Sequence, residues 1–205
     1  MKDKIDNNLN VEFYTEPTSD IVPDIYTMVK LMEDDNEPKR VVFTMTYFLM
    51  INKVSTFFIV KEGEDKIAFG LFVYGVHDKN FRRLKYFTVK RNKRGQGLGV
   101  NSLQKAIEKE INLDSGCNVA CNHDLENFYS KLGFVKSNAI QKAHENFANN
   151  NYITMNLCSN KCDPDGDREY GDFYDIGLEE PAAFITYKKL EETYRIKLMP
   201  KGMRL

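Results

Sequence analysis

The chain has 205 residues, of which 42% are hydrophobic and 12% aromatic, a composition typical of a globular protein that buries a sizeable core. Its 29 basic and 30 acidic residues give a formal net charge of -1, which excludes a global field that attracts nucleic acid or an acidic membrane surface. Any basic function must therefore be local to one part of the sequence.

Taken in chain order, the first half of the sequence predicts a strand and two helices before a β-hairpin. The first strand is VEFYTEP (11–17), and a helix follows over 20–35 with apolar residues at helical spacing. The apolar stretch 41–60 is long enough for a membrane span, but polar residues such as Asn52 and Lys53 interrupt it. It is interpreted as a helix ending near Asn52 and a buried strand, STFFIVK. The segment FFIVKEGEDKIAFGLFVYGV predicts two strands joined by a turn at EGED.

The middle of the sequence alternates strands with short helices. A strand, RRLKYFTV (82–89), leads directly into RNKRGQGLG (91–99), and residues 100–111 predict an amphipathic helix. Its apolar stripe consists of Val100, Leu103, Ile107 and Ile111. A strand over 116–123, a short helix over 124–133 that ends at a glycine, and a last strand over 151–157 complete the predicted elements.

The composition changes after residue 157 to a polar, turn-rich segment. We therefore expect a domain over 1–157 and a C-terminal extension over 158–205 that packs on the domain or on a partner subunit, which would form a homodimer. Within the extension, Tyr194, Ile196 and Leu198 alternate with basic residues as in a half-buried strand.

The cysteines and the N-terminal segment bear on the cellular compartment. MKDKIDNNLN has no apolar stretch after its charges, so no secretory signal is recognised and a cytoplasmic, intracellular protein is expected. Reduced thiols are then expected at the two CxxxC pairs, Cys117 with Cys121 and Cys158 with Cys162. On a strand, a spacing of four separates the first pair by about 13 Å, too far for one tetrahedral zinc ion. Buried thiols and no metal site are predicted.

The stretch RNKRGQGLG places basic side chains and three glycines between a strand and an amphipathic helix. The first N–H groups of a helix are unpaired and carry the positive end of its dipole, and glycines let an anion approach them. This pattern predicts a phosphate-binding loop. Two familiar motifs fail: GxxxxGK[ST] is absent, and GxGxxG fails because Val100 stands where a third glycine is required after Gly95 and Gly97.

A different motif, RxxGxG, is present within VKRNKRGQGLG, which resembles the pyrophosphate loop of the GNAT superfamily of N-acetyltransferases. A second GNAT-like motif follows in NHDLENFYSKLGF, as Asn122, Leu125, Phe128, Tyr129, Gly133 and Phe134. The resemblance covers residues 84–134. It departs from the family pattern at Arg91, where Pro is common, and at Leu125, where Ala is usual.

The resemblance implies an α/β (α+β) GNAT fold, in which helices flank a central mixed, mostly antiparallel, twisted sheet. It implies acetyl-CoA as cosubstrate between strands 82–89 and 116–123, with Asn122 at the end of the second strand in the binding set. The pyrophosphate would lie on the backbone of Arg94, Gly95, Gln96, Gly97, Leu98 and Gly99. The backbone N–H of Val89 would polarise the thioester carbonyl.

The resemblance also implies that Tyr129 protonates the departing sulfur, although a core aromatic is the structural alternative. The general base is less clearly indicated, because the strand 82–89 lacks the Glu that some relatives carry there. His123 could serve directly or through water, since its unperturbed pKa is about 6.5, but a histidine at a strand end is more often a surface residue. Asp124 and Glu126 are weaker candidates and are typical of charges at a helix N-terminus.

The sequence therefore predicts an N-acetyltransferase that transfers an acetyl group from acetyl-CoA to a primary amine, such as a polyamine or a protein amine. The acidic segment EDDNE (33–37) could attract a cationic acceptor or could be a solvated loop. A catalytically inactive CoA-binding regulatory or scaffold protein is the alternative, and a nucleic-acid-binding module is less favoured. No nucleic acid, membrane or metal partner is expected.

Overall fold

The computed structural model describes residues 8–32, 39–76, 79–111, 116–136, 152–157, 188–190 and 192–194. The strands are β1 (Leu9–Tyr14), β2 (Ser55–Glu62), β3 (Asp65–Tyr74), β4 (Arg82–Val89), β5 (Cys117–Asn122), β6 (Val135–Lys136) and β7 (Tyr152–Leu157). The helices are α1 (Val22–Leu31), α2 (Lys39–Ile51), α3 (Leu98–Glu110) and α4 (Glu126–Ser130), with 3-10 turns at Arg91–Lys93 and His123–Leu125. The predicted order of strands and helices is confirmed, and β6 was not predicted.

The strands form a seven-stranded sheet in the order β1-β2-β3-β4-β5-β7-β6. The pairing of β4 with β5 is parallel, and the other neighbouring strands pair antiparallel. A parallel pair requires a crossover connection, and α3 supplies it between β4 and β5. The structure confirms the mixed, mostly antiparallel sheet flanked by helices.

Helices cover both faces of the sheet and create two hydrophobic clusters. One cluster joins the sheet to α3 and α4 through residues such as Leu103, Ile107 and Tyr129. The other joins it to α1 and α2, where Ile25 and Leu49 are fully buried. Because both faces are covered, the first six residues of β2 are all buried, as expected for a continuous apolar run.

Local backbone geometry explains how the apolar stretch 41–60 divides into a helix and a strand. After α2 the chain reverses at Lys53, which has a φ of 56°, and the Val54 N–H donates to the Leu49 carbonyl at 3.1 Å. This is a helix C-terminal motif that satisfies carbonyls left unpaired in the last turn. Within the described residues, no helix combines the length and the apolar character needed to cross a membrane.

The described part of the C-terminal extension contacts α2. Residues 188–190 and 192–194 are helical, so the predicted strand is wrong at Tyr194, while Ile196 and Leu198 lie outside the described residues. The Tyr194 hydroxyl lies 3.2 Å from that of Tyr47, and the two rings meet edge-to-face. The acidic segment 33–37, Cys158 and Cys162 also lie outside the described residues, and the division at residue 157 stays a prediction.

Candidate active site

The strands β4 and β5 pair at one end and separate at the other. Arg82–Leu84 pair with Cys117–Val119, and the ladder ends there. Beside this point, the ladder between β3 and β4 shifts register between Leu71 and Phe72, which leaves Lys85 as an extra, bulged residue of β4. A bulge bends its strand and increases its twist. The bend therefore directs the second half of β4 away from β5 and opens the sheet.

Backbone groups of β4 face this opening. The Lys90 N–H donates to the Ile67 carbonyl of β3 at 2.9 Å. Successive residues of a strand direct their N–H groups to opposite sides, and the Lys90 N–H points to β3. The N–H groups of Val89 and Phe87 therefore point the other way, toward β5. The ladder with β5 has ended before both residues. The sequence predicted Val89 as a donor, which stays a prediction, and it did not indicate the similarly directed Phe87, because the direction of each N–H depends on the pairing register with β3.

A cavity of about 970 Å³ occupies the opening. It brings together most of the predicted site residues: Val89, Arg94, Gly95, Gly97, Gly99, Asn122 and Tyr129. The predicted residues Gln96, Leu98 and His123 are not among the described residues that line it. One cavity thus connects the glycine-rich loop with the tyrosine on α4.

The glycines of the loop leave its backbone accessible. Gly95 and Gly97 have φ values of 75° and 76°, and a Cβ at either position would meet no heavy atom within 4 Å. Gly97 is the N-cap of α3, so unpaired N–H groups of the first helical turn lie at the cavity. This backbone fits a phosphate group. At Gly99 a Cβ would lie 3.4 Å from Phe128 Cε2, so this glycine also sets how closely α3 packs on α4.

The side chains of Gln96 and Leu98 contact other parts of the protein and do not line the cavity. The Gln96 amide donates to the Asn92 carbonyl at 3.2 Å, on the exposed side of the loop. Leu98 is buried in the hydrophobic cluster beneath α3. Any contribution of these two residues to ligand binding therefore comes from their backbone.

The basic residues of the loop have different partners. Arg94 donates through Nε to the Val89 carbonyl at 2.9 Å and through Nη2 to the Leu31 carbonyl at 3.3 Å, so it joins the end of β4 to the end of α1. Lys93 pairs instead with Glu62 of the β2–β3 hairpin, which raises the pKa of the Lys93 ammonium. Only Arg94 of these two lines the cavity.

Tyr129 forms part of the cavity wall and is 6% exposed. Its ring meets Phe128 and Phe134 edge-to-face, with centroids 5.0 and 5.6 Å away. Burial raises the pKa of the Tyr129 phenol above its ordinary value, so the hydroxyl remains a neutral donor at neutral pH. The described residues provide no hydrogen-bond partner for it. Tyr129 is therefore a core aromatic that also lines the cavity, and its role as a proton donor stays a prediction.

Asn122 and His123 lie where β5 ends. The Asn122 Oδ1 accepts a hydrogen bond from the Asp124 N–H at 3.3 Å, which caps the 3-10 turn. The His123 side chain is 44% exposed, and its Nδ1 lies 3.6 Å from a Glu126 carboxylate oxygen. His123 therefore lies outside the cavity lining, beside the end of the strand.

The fold and the two motifs agree with comparisons to known proteins. A model described as the acetyltransferase (GNAT) family matches residues 22–134, more than half of the chain. The chain belongs to the GNAT family of acetyltransferases. Acetyl-CoA is the acyl donor of this family, and amines are its acceptors. No curated protein sequence matches the chain significantly.

Solved structures of GNAT proteins share the fold at low sequence identity. A spermidine N-acetyltransferase chimera from Vibrio cholerae and hSSAT has a TM-score of 0.57 at 12% identity, with 74% of this chain and 96% of that one covered. An acyl-CoA N-acyltransferase from Pseudomonas aeruginosa has a TM-score of 0.54 at 13% identity, with 73% of this chain and 99% of that one covered. The ribosomal-protein-S18-alanine N-acetyltransferase from Escherichia coli has a TM-score of 0.50 at 13% identity, with 73% of this chain and 92% of that one covered.

Three further features of this GNAT domain concern its thiols, metal-binding groups and basic residues. Cys117 and Cys121 are free, buried thiols, as predicted, and Cys121 lines the cavity. Among the residues that the structure describes, no group of His, Cys, Asp or Glu side chains could hold a metal ion. The cavity also contains Arg83, Lys85 and Lys131, which the sequence did not assign to the site. Arg83 and Lys85 belong to the run RRLKYFTV and could have been noted there as basic residues of a predicted strand, whereas Lys131 directly follows α4.

Proposed function

We propose that this protein is an N-acetyltransferase that transfers an acetyl group from acetyl-CoA to a primary amine. The observation that carries the proposal is the opening between β4 and β5, where one cavity joins the glycine-rich loop to Tyr129. Phosphate-binding backbone at one end and a neutral phenol at the other are the two protein groups that a reaction of a CoA thioester needs.

The loop would hold the cosubstrate through its backbone. The N–H groups of residues 94–99 would bind the pyrophosphate, with the positive end of the α3 dipole behind them. Arg94 would add positive charge while it fixes the end of β4 through the Val89 carbonyl. Asn122 would bind from β5, across the opening.

The reaction forms a bond between the amine nitrogen and the acetyl carbon and breaks the bond between that carbon and sulfur. When bound, acetyl-CoA supplies the activated acetyl group. The backbone N–H groups of Phe87 and Val89 would stabilise the negative charge that develops on the carbonyl oxygen. Tyr129 would donate its proton to the departing sulfur. His123, assisted by Glu126, would accept the proton of the amine through water because its side chain lies outside the cavity lining.

The proposal includes an intracellular location, which would keep Cys117 and Cys121 reduced. It also includes an acceptor site formed by α1, α2 and the C-terminal extension. A homodimer would be compatible with the proposal.

The test is to incubate the purified protein with acetyl-CoA and a panel of amines, including spermidine, amino acids and lysine-containing peptides, and to follow free CoA thiol. A reaction without acceptor corrects for hydrolysis. At least one amine is expected to accelerate thiol release. Acetyl-CoA binding by calorimetry without any acceptor-dependent release would identify a CoA-binding regulatory or scaffold protein, and salt-sensitive DNA binding without CoA binding would identify a nucleic-acid module.

A further inference from the structure

Thr88 lies in β4 between Phe87 and Val89, the two residues whose N–H groups are proposed to bind the thioester carbonyl oxygen. It is 6% exposed and lines the cavity. The ladder with β3 places Thr88 opposite Phe69, which packs in the cluster formed with α1 and α2. Because cross-strand partners share a face of the sheet, the Thr88 side chain lies on the side of α1 and α2.

Thr88 and Tyr129 therefore approach the opening from opposite faces of the sheet. Tyr129 and Val89 belong to the cluster formed with α3 and α4. Successive side chains of a strand alternate between faces, so those of Val89 and Thr88 point in opposite directions. The proposed proton donor to the sulfur thus comes from one side, and the acceptor site is proposed on the other. An amine that enters between α1 and α2 would reach the thioester beside Thr88.

The Thr88 hydroxyl has no hydrogen-bond partner among the described residues. Tyr86, two residues earlier in β4, already donates its hydroxyl to the Met45 sulfur at 3.6 Å. Completely enclosed hydroxyls without a partner occur at sites such as Thr44 and Ser55, and that of Thr88 is not among them. The Thr88 oxygen therefore keeps accessible surface. A largely buried polar group is unfavourable without a partner, and a ligand in the cavity could supply one.

The chemistry of an amine fits this hydroxyl. A threonine oxygen can accept one hydrogen bond while its own proton is donated to water. A neutral primary amine has two N–H groups and one lone pair, and attack requires that the lone pair point to the carbonyl carbon. One N–H bound to Thr88 would fix that direction, and the other would remain for proton transfer through water to His123. Orienting a nucleophile in this way lowers the entropic part of the barrier.

We propose that Thr88 is an acceptor-binding residue, whose Oγ1 accepts a hydrogen bond from the amine nitrogen and directs the lone pair of that nitrogen to the thioester carbon. The inference deepens the proposed function and rests on it. In this scheme Phe87, Val89 and Tyr129 act on the thioester, whereas Thr88 acts on the amine. The affinity for acetyl-CoA is therefore independent of the Thr88 hydroxyl.

The test compares the wild type with Thr88→Val and Thr88→Ser. The acceptor is whichever of spermidine, L-lysine and a lysine-containing peptide gives the fastest thiol release with the wild type. Thr88→Val keeps the shape of the side chain without its hydroxyl, so kcat/KM for the amine should fall about tenfold, as for a hydrogen-bonding group left unpaired. Thr88→Ser keeps the hydroxyl and should retain most of the activity. Calorimetry should give the same Kd for acetyl-CoA in all three proteins.

Stability distinguishes this role from a structural one. Since the Thr88 hydroxyl makes no hydrogen bond within the described residues, Thr88→Val should leave the midpoint of urea unfolding unchanged or raise it. Thr44→Val is the matched control, because the Thr44 hydroxyl also lacks a partner but is completely enclosed on α2, where no amine can reach it. The control should keep full activity.

An unchanged kcat/KM for the amine in folded Thr88→Val would overturn the inference. Equal losses in Thr88→Val and Thr88→Ser would also overturn it, because the methyl group and not the hydroxyl would then matter. Weaker acetyl-CoA binding would place the residue at the cosubstrate instead, and a lower urea midpoint would assign it a structural role. In all these cases acetyl transfer by the wild type remains. Absence of thiol release by the wild type with every one of the three amines would contradict the proposed function, and the inference with it.

Discussion

At the scale of single residues, Tyr129 combines a packing role with the proposed role of proton donor. Its ring packs against Phe128 and Phe134, and the residue also forms part of the cavity wall. Low solvent exposure keeps the phenol protonated, which is the state that a proton donor needs. A second buried tyrosine, Tyr86, lines the same cavity, but its hydroxyl donates to the Met45 sulfur. Replacing each tyrosine by phenylalanine can therefore separate the effect of losing a proton donor from the effect of losing a buried hydroxyl.

Tyr129→Phe should lower turnover by about a hundredfold, because it removes the proposed proton donor and keeps the ring contacts. The affinity for acetyl-CoA should hardly change. Turnover and calorimetric binding are to be measured on one preparation, with Tyr86→Phe as the matched control that loses a hydroxyl from the same cavity without losing the donor. Full activity of Tyr129→Phe would assign the residue to packing alone, and unfolding of the variant would assign the hydroxyl a structural role.

At the scale of elements, the bounds of strands and helices follow closely from the sequence, but the opening of the sheet does not. The strand RRLKYFTV was predicted over its full length, because the tendency of a segment to form a strand is local information. The bulge at Lys85 depends on a one-residue shift against β3, and neither strand alone contains that information. The two-residue strand β6 is too short to have a periodic pattern. The candidate site residues were thus predicted from motifs, whereas the direction of the Phe87 N–H required the sheet.

The glycine loop provides a prediction with an internal control. Gly97→Val should weaken acetyl-CoA binding at least tenfold, because the side chain would enter the open space beside the helix N-terminus. It should also destabilise the fold by about 1–2 kcal/mol, since Gly97 has a positive φ. Gly63→Val is the matched variant, because Gly63 has a φ of 60° and an equally open Cβ position, but lies in the β2–β3 turn. Calorimetry and urea unfolding should show similar losses of stability in both variants and a loss of affinity in Gly97→Val alone. Equal affinities would contradict the assignment of the loop.

At the scale of the whole molecule, composition predicted a large core, and the structure shows why it must lie on two faces. The sheet separates the cluster under α3 from the cluster under α1 and α2, so most strands are buried on both sides. This explains why alternation is weak in β2 and why its apolar run resembled a membrane segment. The sequence failed at Tyr194, where alternation suggested a strand but the chain is helical and contacts Tyr47. A contact with a helix distant in sequence can override so short a pattern.

The buried thiols predict how stability depends on pH. Burial raises the pKa of Cys117 to about 12 and that of Cys121 to about 11, both above the ordinary thiol value. The unfolded chain therefore loses these protons near pH 9, where the folded chain retains them. This contribution to stability is complete below pH 9 and is lost as the pH rises toward 11 and 12, by up to about 1.4 kcal/mol per pH unit for each thiol. Urea unfolding at pH 7 to 10.5 should show the decline, and Cys117→Ala should reduce its slope. An unchanged slope in that variant would show that Cys117 does not contribute.

The short contact between β4 and β5 also has a consequence for how the molecule folds. Only the pairs from Arg82–Cys117 to Leu84–Val119 join β4 to β5, whereas β2, β3 and β4 are joined by hairpins with contacts close in sequence. Contacts between nearby residues form faster than contacts that close long loops. The β2–β4 meander should therefore form early, and the half-sheet of β5, β7 and β6 should attach later through its narrow parallel ladder. Since the opening that contains the cavity lies at that attachment, a refolding protein should regain its sheet before it regains the proposed ability to bind acetyl-CoA.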